Sequence, residues 1–447
     1  MSTDKGSTDL QILGGGPAGL AAAYYARKAS IGCTLYEGSE SIGGNAQTHR
    51  LGDCLFDTGA HRLHDKIPDV TDEIRSLLGP DLLSVRAPSR IHLNGKRLRF
   101  PLSPTDLLRH LDWTTLGRIA IERARRRGRT DVTNFKDWAI GQYGETLARM
   151  LLLDYSEKLW GEDTSSLSAT ISGGRLRNLD LRAFLRSLLP GDDSRHLDGD
   201  FLYPKYGFGT IFDRVAESVG QSRIRCDSRI TKLSHEQGRI QSIETNGQTL
   251  EAQDTLISTL PLTLMLQILD PEPPPSLLDI ARSIRFRKLL LCVYCLKRSR
   301  FSENASIYFP DPEIPFTRLY ESKNRSAFMA PEDQTAIVIE LPCHETSRHW
   351  QMDENRLLQD VLTTLGEAGQ IQSEEVLESA VYRLPFAYPI LEVGIENRVR
   401  ELVDYLERFA NLHLLGRNAT FRYLHTHDLF SQAKSLIGRI SGTSDQG

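Results

Sequence analysis

The first fifty residues combine short apolar runs, glycine turns and one alanine-rich stretch. Apolar residues 10–13 lead into a glycine cluster, the alanine-rich stretch follows, and a second apolar run at 33–36 ends on Glu37. Short apolar runs bounded by turns are typical of buried strands, and alanine favours a helix. The pattern therefore predicts a strand, a turn, a helix and a second strand that ends at Glu37.

The rest of the chain divides into blocks of helical and of strand periodicity. Helical patterns cover 69–78, most of 103–200 including the amphipathic stretch 134–150, 352–368 and the C-terminal end. Alternating patterns predict strands over 50–56, 223–260 and 285–342, a hairpin over 89–100 with its turn at Asn94-Gly95, and an extended segment over 381–390. We therefore expect a mixed α/β fold in which one nucleotide-binding domain is assembled from separated segments. The expected boundaries are 1–85, 203–265 and 405–447 for that domain, and 86–202 with 266–404 for an inserted substrate domain with a helical insertion.

The glycine cluster fits a dinucleotide-binding fingerprint. Gly14, Gly16 and Gly19 match G-x-G-x-x-G, and Glu37 follows 18 positions after Gly19. In such a site the glycines allow a tight turn, a close approach of the pyrophosphate and close packing of helix on strand, while the acid binds a ribose diol. The helix N-terminus offers free N–H groups and a positive dipole end to the phosphates. The alternative is an ordinary tight loop before a helix.

Composition limits the class of protein. The chain has 447 residues, a net charge of −4 and 40% hydrophobic residues, which suits two domains with sizeable cores and argues against a nucleic-acid binder. The N-terminus lacks the apolar core of a signal peptide, and no apolar run approaches the roughly 20 residues that cross a bilayer. We expect a cytoplasmic protein without an integral membrane segment; its oligomeric state is not indicated by the sequence.

The six cysteines are scattered, which favours reduced thiols over a disulfide scaffold. Cys292 and Cys295 form a C-x-x-C pair inside an apolar strand pattern, where residues three apart point to opposite faces. No second pair accompanies them, so a structural role is favoured over a redox or zinc site. No cluster of side chains has metal-ligand spacing, and we expect no metal. The arginine-rich stretch 118–129 is interpreted as a solvated helix face rather than a phosphate or membrane patch.

Several motifs together resemble a known superfamily. The stretches GGGPAGL, DTLISTLP and LLGRNATFRYLHTHD are similar to the FAD-binding parts of the flavin amine oxidase and protoporphyrinogen oxidase superfamily. SIGGNAQT, GAHRLH and LDYSEKLWG resemble motifs of UDP-galactopyranose mutases. The resemblance implies a Rossmann-like, glutathione-reductase-type FAD fold with a single dinucleotide site, and FAD as cofactor.

The same resemblance implies a set of cofactor-binding residues along the trough expected for FAD. They are Gly14, Gly16, Pro17, Ala18, Gly19 and Glu37 for the ADP half, Gly43, Gly44 and Asn45 along the pyrophosphate, Gly59, Ala60 and His61 beside the flavin ring, Ile230 at the adenine, and Gly416, Arg417, Tyr423 and Asp428 closing over the ribityl chain and flavin.

The resemblance also implies a set of candidate catalytic residues. Lys158, Trp160 and Tyr388 would stand at the substrate side, and His61 or His64 would take a proton, since the pKa of histidine lies near neutrality. Each has a structural alternative: a turn cap for His61, a core wall for Trp160, an ion pair for Lys158 and interface packing for Tyr388.

The chain departs from the mutase pattern at identifiable positions. Asp65 stands where the mutases have threonine, and no Tyr-Gln pair occurs between Leu179 and Pro204. Arg175 and Arg177 are possible substitutes for a diphosphate-binding arginine.

Three functions are compatible with these motifs. The first is hydride transfer from a polar small molecule, such as a sugar, a nucleotide sugar or an amine, to flavin N5. The second is a redox-neutral sugar-nucleotide isomerisation on reduced flavin, like that of the mutases. The third is a non-enzymatic binding protein of the same fold, similar to the escort and dissociation-inhibitor proteins of small GTPases. The many arginines make an anionic substrate plausible.

Overall fold

The computed structural model describes residues 9–93, 95–100, 111–124, 132–172, 200–367 and 371–442. Its strands are β1 Leu10–Leu13, β2 Cys33–Tyr36, β3 Thr48–Leu51, β4 Cys54–Asp57, β5 Leu82–Val85, β6 Ser89–Leu93, β7 Lys96–Phe100, β8 Phe201–Pro204, β9 Ile224–Arg225, β10 Ile230–Glu236, β11 Arg239–Thr245, β12 Gln248–Glu251, β13 Thr255–Ser258, β14 Leu269–Asp270, β15 Phe286–Leu296, β16 Ser306–Tyr308, β17 Arg318–Glu321, β18 Thr335–Cys343, β19 Val376–Pro389 and β20 Leu412–Leu414. Its α-helices are α1 Pro17–Lys28, α2 Pro68–Leu78, α3 Trp113–Ala124, α4 Phe135–Tyr143, α5 Glu145–Ala148, α6 Asp154–Trp160, α7 Thr210–Val219, α8 Leu262–Gln267, α9 Pro275–Ser283, α10 Arg348–Gln351, α11 Glu354–Glu367, α12 Ile395–Leu406 and α13 Thr426–Ile440.

A five-stranded parallel sheet contains the two strands, β1 and β2, on either side of the glycine turn and α1. Its order is β20-β13-β1-β2-β9, so strands from the start, the middle and the end of the chain lie side by side. The alanine-rich face of α1 packs with α7 and α13 in one continuous core on this sheet. A mixed α/β fold with a parallel sheet is thereby confirmed, and the carboxyl ends of β1, β2, β13 and β20 meet at one edge, where such sheets bind ligands.

Two further sheets flank this one. A four-stranded sheet has the order β12-β11-β10-β14, and a seven-stranded sheet has the order β19-β15-β18-β17-β16-β6-β7. In the larger sheet, β15 and β18 are buried along nearly their whole length because α11 covers one face and β4 approaches the other. The domain boundaries expected from the sequence stay a prediction.

Most of the predicted elements are found, with differences at their ends. The expected single strand over 50–56 is instead the hairpin of β3 and β4, and the turn residue Asn94 lies outside the described residues. The amphipathic stretch 134–150 is broken at Gly144, whose φ of +83° interrupts the helix between α4 and α5. The sequence pattern did not reveal α9 and α12, because prolines and charged residues obscure their apolar stripes.

The expectation of reduced thiols is wrong for one cysteine pair. Cys54 at the start of β4 and Cys295 in β15 form a disulfide that joins two sheets. Cys292 and Cys295 do face opposite sides of β15, since Cys292 packs in the core under α11 while Cys295 faces Cys54. Cys292 is a free thiol whose pKa is raised to about 12 by burial. Across the described ranges, no helix combines the length and apolar composition needed to cross a membrane.

Candidate functional site

The glycine fingerprint forms a tight turn between β1 and α1. Gly14 has a φ of +102°, and a Cβ on Gly19 would lie 1.9 Å from the Gly14 carbonyl oxygen, so only glycine lets helix and strand approach this closely. Gly16 caps the N-terminus of α1, and Pro17 takes the first helical position, where no N–H is needed. This turn therefore presents backbone and not side chains to its surroundings.

Glu37 lies beside the same turn, at the end of β2. One carboxylate oxygen accepts a hydrogen bond of 2.7 Å from Gly15 N, and the other accepts one of 2.9 Å from Ser39 N. Ile230 begins β10 close by, since Ser228 N donates to the Glu37 carbonyl at 2.7 Å. The acid and the adenine-side strand predicted from the sequence thus lie together.

Two other segments complete a trough over the N-terminus of α1. Gly43 N donates to the Gly15 carbonyl at 2.9 Å, which places the second glycine turn against the first. Gly416, with a φ of +94°, lies so close to α1 that a Cβ there would be 2.6 Å from the Ala18 Cβ. The segments that line this trough are glycine turns and so present backbone, and Asn45 beside them is exposed.

His61 is held at one end of the trough by its two neighbours. Its Nε2 lies 3.0 Å from the Asn45 carbonyl oxygen, and its ring stacks on Phe208 with centroids 4.9 Å apart at 25°. Because a carbonyl oxygen only accepts, Nε2 carries the proton and Nδ1 is left as an acceptor. The Asn45 side chain in turn donates to the Phe386 carbonyl at 2.9 Å, which ties this corner to β19.

The electrostatics of this corner keep His61 neutral. Burial lowers the pKa of His61 to about 4, the hydrogen bond to Asn45 opposes the shift, and Arg318, Arg325 and Arg417 reinforce it. At neutral pH the imidazole is therefore an uncharged hydrogen-bonding group and only a weak base.

Arg417 stacks between two tyrosines. Its guanidinium carbon lies 5.1 Å from the centre of the Tyr388 ring and 4.6 Å from that of Tyr423. Trp160 packs edge-on against the other side of Tyr388, with centroids 6.0 Å apart. The Nε and Nη2 atoms of Arg417 are buried and have no hydrogen-bond partner among the described residues. Residues predicted from three separate motifs thus meet in one aromatic and cationic cluster.

Lys158 is engaged with backbone. Its Nζ donates to the carbonyl oxygens of Phe309 and Asp311 at 2.7 and 2.8 Å, and burial lowers its pKa to about 7. The buried Arg287 holds the same helix end, because it donates to the Lys158 and Leu159 carbonyls from β15. The contacts of Lys158 thus fix the loop at 309–311.

Other predicted residues lie at different places. His64 is against Phe201, with ring centroids 6.4 Å apart, and so does not share the Phe208 contact of His61. Asp428 caps α13, since its carboxylate accepts from His425 N at 2.8 Å. Arg175 and Arg177 lie outside the described residues.

Several residues near His61 were not found from the sequence. Arg318 forms a two-point ion pair with Glu340 at 2.8 and 2.6 Å, and Arg325 is buried with its Nε unpartnered in the described part of the chain. Phe208 follows a glycine in YGFGT, a pattern that signals a turn but no partner. Each of these three residues is more than a hundred positions from His61 in the sequence, and periodicity carries no information about such distant neighbours.

The arrangement fits a bound dinucleotide. Glycine turns, which lack side chains, meet at the N-terminus of α1, whose free N–H groups suit a pyrophosphate, and Arg417 next to Gly416 adds buried guanidinium donors. Buried donors in folded proteins normally have partners, so an acceptor on a ligand is expected there.

Comparisons with known proteins agree with this geometry. Coproporphyrinogen III oxidase of Bacillus subtilis (strain 168) is 21% identical over 463 aligned positions, which cover 97% of each chain. The crystal structure of reduced UDP-galactopyranose mutase has a TM-score of 0.83 at 20% identity and covers 98% of this chain and 94% of its own. A protein of Exiguobacterium sp. 255-15, provisionally named protoporphyrinogen oxidase, has a TM-score of 0.77 at 20% identity and covers 99% of both chains.

A family assignment follows from the sequence match. The family described as flavin containing amine oxidoreductase matches residues 17–409, which is most of the chain. The family and the listed relatives are flavin-dependent oxidoreductases or mutases, which supports an enzyme over the non-enzymatic alternative. The protein belongs to the flavin containing amine oxidoreductase family and is a flavin-dependent enzyme whose cofactor is FAD.

Proposed function

We propose that the protein is an FAD-dependent oxidoreductase that removes a hydride from a polar, anionic small molecule. The observation that carries the proposal is Arg417, whose Nε and Nη2 atoms are buried without a partner among the described residues. A buried guanidinium donor that finds no acceptor costs about 1–3 kcal/mol, so a ligand that supplies one gains that free energy. A planar guanidinium suits a carboxylate or a phosphate, which it binds with two parallel hydrogen bonds.

The other charges near His61 support an anionic substrate. Arg318 is compensated by Glu340, but Arg325 has a buried Nε without a partner in the described ranges and stacks on Tyr320 at 4.8 Å. Arg318, Arg325 and Arg417 all lie near enough to lower the pKa of His61. A cationic amine would be repelled from such a place, whereas an anion would be attracted.

The residues of the trough are proposed to hold the cofactor. Glu37 would bind the ribose diol of the adenosine, where its carboxylate now accepts from Gly15 N. The N-terminus of α1, with Gly43 and Gly44 opposite, would bind the pyrophosphate. Ile230 would contact the adenine side, and the segments Gly59–His61 and Gly416–Arg417 would lie along the flavin. When bound, the flavin supplies the hydride acceptor.

The side chains then have defined tasks. His61, neutral and donating through Nε2 to Asn45, would accept a hydrogen bond at Nδ1 from the O–H or N–H group next to the reacting carbon and would take that proton as the hydride leaves. Tyr388 and Trp160 would form the wall that excludes water from that carbon. Lys158 would act by fixing the loop at 309–311 and not by touching the substrate.

The test is anaerobic reduction of the bound flavin by probes of different charge. Coproporphyrinogen III, which carries four carboxylates, should bleach the flavin absorbance, and putrescine, a dication, should not. Arg417→Met should raise the concentration for half-maximal reduction by the anionic probe about 100-fold, the equivalent of about 3 kcal/mol for a lost buried charge pair. Arg422→Met, a neighbouring exposed arginine, is the matched control and should change it little. Reduction by putrescine alone would refute the anionic assignment.

A second candidate is a redox-neutral sugar-nucleotide isomerase. It is supported by the likeness to UDP-galactopyranose mutase at a TM-score of 0.83 and by the stretch LDYSEKLWG, which ends at Trp160 beside Tyr388. This candidate predicts conversion of UDP-galactopyranose only after prior reduction of the flavin, with no net consumption of reductant. Stoichiometric consumption of reducing equivalents would exclude it.

A further inference from the structure

A buried carboxylate, which has no part in the proposed hydride transfer, lies next to the turn that carries Phe208. Asp57 is 1% exposed at the end of β4. Its side chain accepts hydrogen bonds from Tyr203 OH at 2.5 Å, Thr48 Oγ1 at 2.7 Å and Phe208 N at 2.9 Å. Its main-chain carbonyl accepts another from Tyr320 OH at 2.6 Å. One residue therefore joins β3, β8, β17 and the turn before α7.

Hydrogen bonds hold the turn at 207–209 against the Asp57 carboxylate. Gly207 has a φ of +103°, and a Cβ there would lie 2.4 Å from Thr48 Oγ1. Gly209 N donates to the same Thr48 Oγ1 at 2.8 Å, and Thr48 Oγ1 donates onward to Asp57. The backbone on both sides of Phe208 is thus held by Asp57, directly at one point and through Thr48 at the other.

The Phe208 ring is the surface on which His61 rests. The two rings are stacked with centroids 4.9 Å apart, and His61 has one further fixed contact, from Nε2 to the Asn45 carbonyl. Thr58 Oγ1, next to Asp57 in sequence, donates to that same carbonyl at 2.9 Å. One support of the imidazole, Phe208, is therefore held by the Asp57 carboxylate, and the other, the Asn45 carbonyl, is held by the residue that follows Asp57.

We propose that Asp57 is a positioning residue that fixes the Gly207–Gly209 turn and thereby holds the His61 imidazole, through the Phe208 ring, in its place beside the flavin. The placement of His61 beside the flavin rests on the proposed function. In this role Asp57 contacts neither substrate nor cofactor. The role explains why a chargeable group is kept in the core, where burial raises the pKa of the Asp57 carboxyl and the three hydrogen bonds that it accepts oppose that shift.

The groups that face these two residues are known from the structure. Tyr203, Thr48, Phe208 N and the cation of Arg325 surround the Asp57 carboxylate, and the cations of Arg318, Arg325 and Arg417 act on His61. Burial is the largest cause of the lowered pKa of His61, and the stacked Phe208 ring is one of the groups that bury the imidazole. The titration of His61 therefore reports whether the ring is still held.

The experiment follows that titration in the holoenzyme. Protein labelled with ¹³C-histidine is titrated from pH 8 to pH 5 by NMR, and the His61 signal is the one missing from His61→Ala. In the wild type we expect no titration of His61 in this range, since its pKa is about 4. Asp57→Ala and the near-isosteric Thr48→Val should each move the midpoint up by at least about one pH unit, towards the 6.5 of a free histidine.

Controls separate positioning from a general loss of stability. Phe208→Leu should move the His61 midpoint in the same direction as Asp57→Ala. Tyr203→Phe removes one hydrogen-bond donor to Asp57 but leaves the hydrogen bond from Phe208 N in place. It should therefore lower thermal stability without moving the midpoint of the His61 titration.

An unmoved midpoint in both Asp57→Ala and Thr48→Val would overturn the proposal, as would a Tyr203→Phe shift as large as theirs. If Asp57→Ala does not fold, Thr48→Val decides alone. If His61→Ala leaves flavin reduction unchanged while the midpoint shifts, the proposed role of His61 fails and the positioning by Asp57 stands.

Discussion

Replacing Gly19 by alanine tests whether the turn between β1 and α1 binds the FAD pyrophosphate. The added Cβ would lie 1.9 Å from the Gly14 carbonyl oxygen, whereas real Cβ contacts stay beyond 3.0 Å, so α1 must move by about 1.1 Å. Such a displacement takes the N–H groups of the first helical turn out of hydrogen-bond range of a pyrophosphate. Two charge-assisted hydrogen bonds at about 1.5 kcal/mol each amount to about 3 kcal/mol, or about a 100-fold weaker Kd for FAD.

The assay is titration of the apoprotein with FAD, followed by quenching of flavin fluorescence. Gly438→Ala is the matched control, because Gly438 also lies in a helix, α13, and a Cβ there meets nothing within 4 Å. It should bind FAD like the wild type and be slightly more stable, since alanine is the better helix former. If the Gly19→Ala variant remains folded and its Kd for FAD is within about threefold of the wild-type value, the placement of the pyrophosphate at this turn is refuted.

Two other predictions concern charge. Lys158→Met leaves the carbonyls of Phe309 and Asp311 without their donor, so it should lower the free energy of unfolding by about 2 kcal/mol in urea denaturation and leave the flavin spectrum unchanged; lost flavin reduction at unchanged stability would instead make Lys158 catalytic. The lowered pKa of His61, about 4 against 6.5 unfolded, means that the unfolded chain binds a proton that the folded chain does not bind. Stability should therefore fall as pH drops from 6.5 towards 4, by at most about 3 kcal/mol from this residue, and urea denaturation should show a shallower fall for His61→Gln. If the free energy of unfolding has the same slope against pH in the wild type and in His61→Gln, this prediction is contradicted.

The sequence was sufficient where the determining contacts are local. The strand, turn and helix from Leu10 to Lys28 follow from apolar runs, glycines and alanines that lie next to one another in the chain. Gly144 was missed as a helix break because glycine is tolerated inside helices, and only its φ of +83° shows that the helix ends there. The Cys54–Cys295 bond was missed because its partners are 241 positions apart.

The site was predictable only in part for the same reason. Motif resemblance assigned Trp160 and Tyr388 to the substrate side and Arg417 to the cofactor side, and the structure places all three in one cluster. Resemblance could not supply the stacking of His61 on Phe208, because that contact depends on how β4 and the turn before α7 meet across the core. It also could not distinguish Lys158 as a loop-fixing residue from Lys158 as a substrate ligand, since both need a lysine at the end of a helix.

The difference between the two arginines nearest the aromatic wall explains how the site can be both stable and open to a ligand. Arg318 is neutralised within the protein by two hydrogen bonds to Glu340, so its burial is compensated whether or not anything is bound. Arg417 has no carboxylate partner among the described residues, and the π faces of Tyr388 and Tyr423 reduce the free-energy cost of burying its charge. Stacking fixes the plane of the guanidinium but leaves its N–H groups directed at the edge, where a stacked ring cannot accept them. Arg318, whose charge is compensated, fixes the shape of the site. Arg417 still lacks hydrogen-bond acceptors, so an anionic ligand that supplies them gains binding free energy.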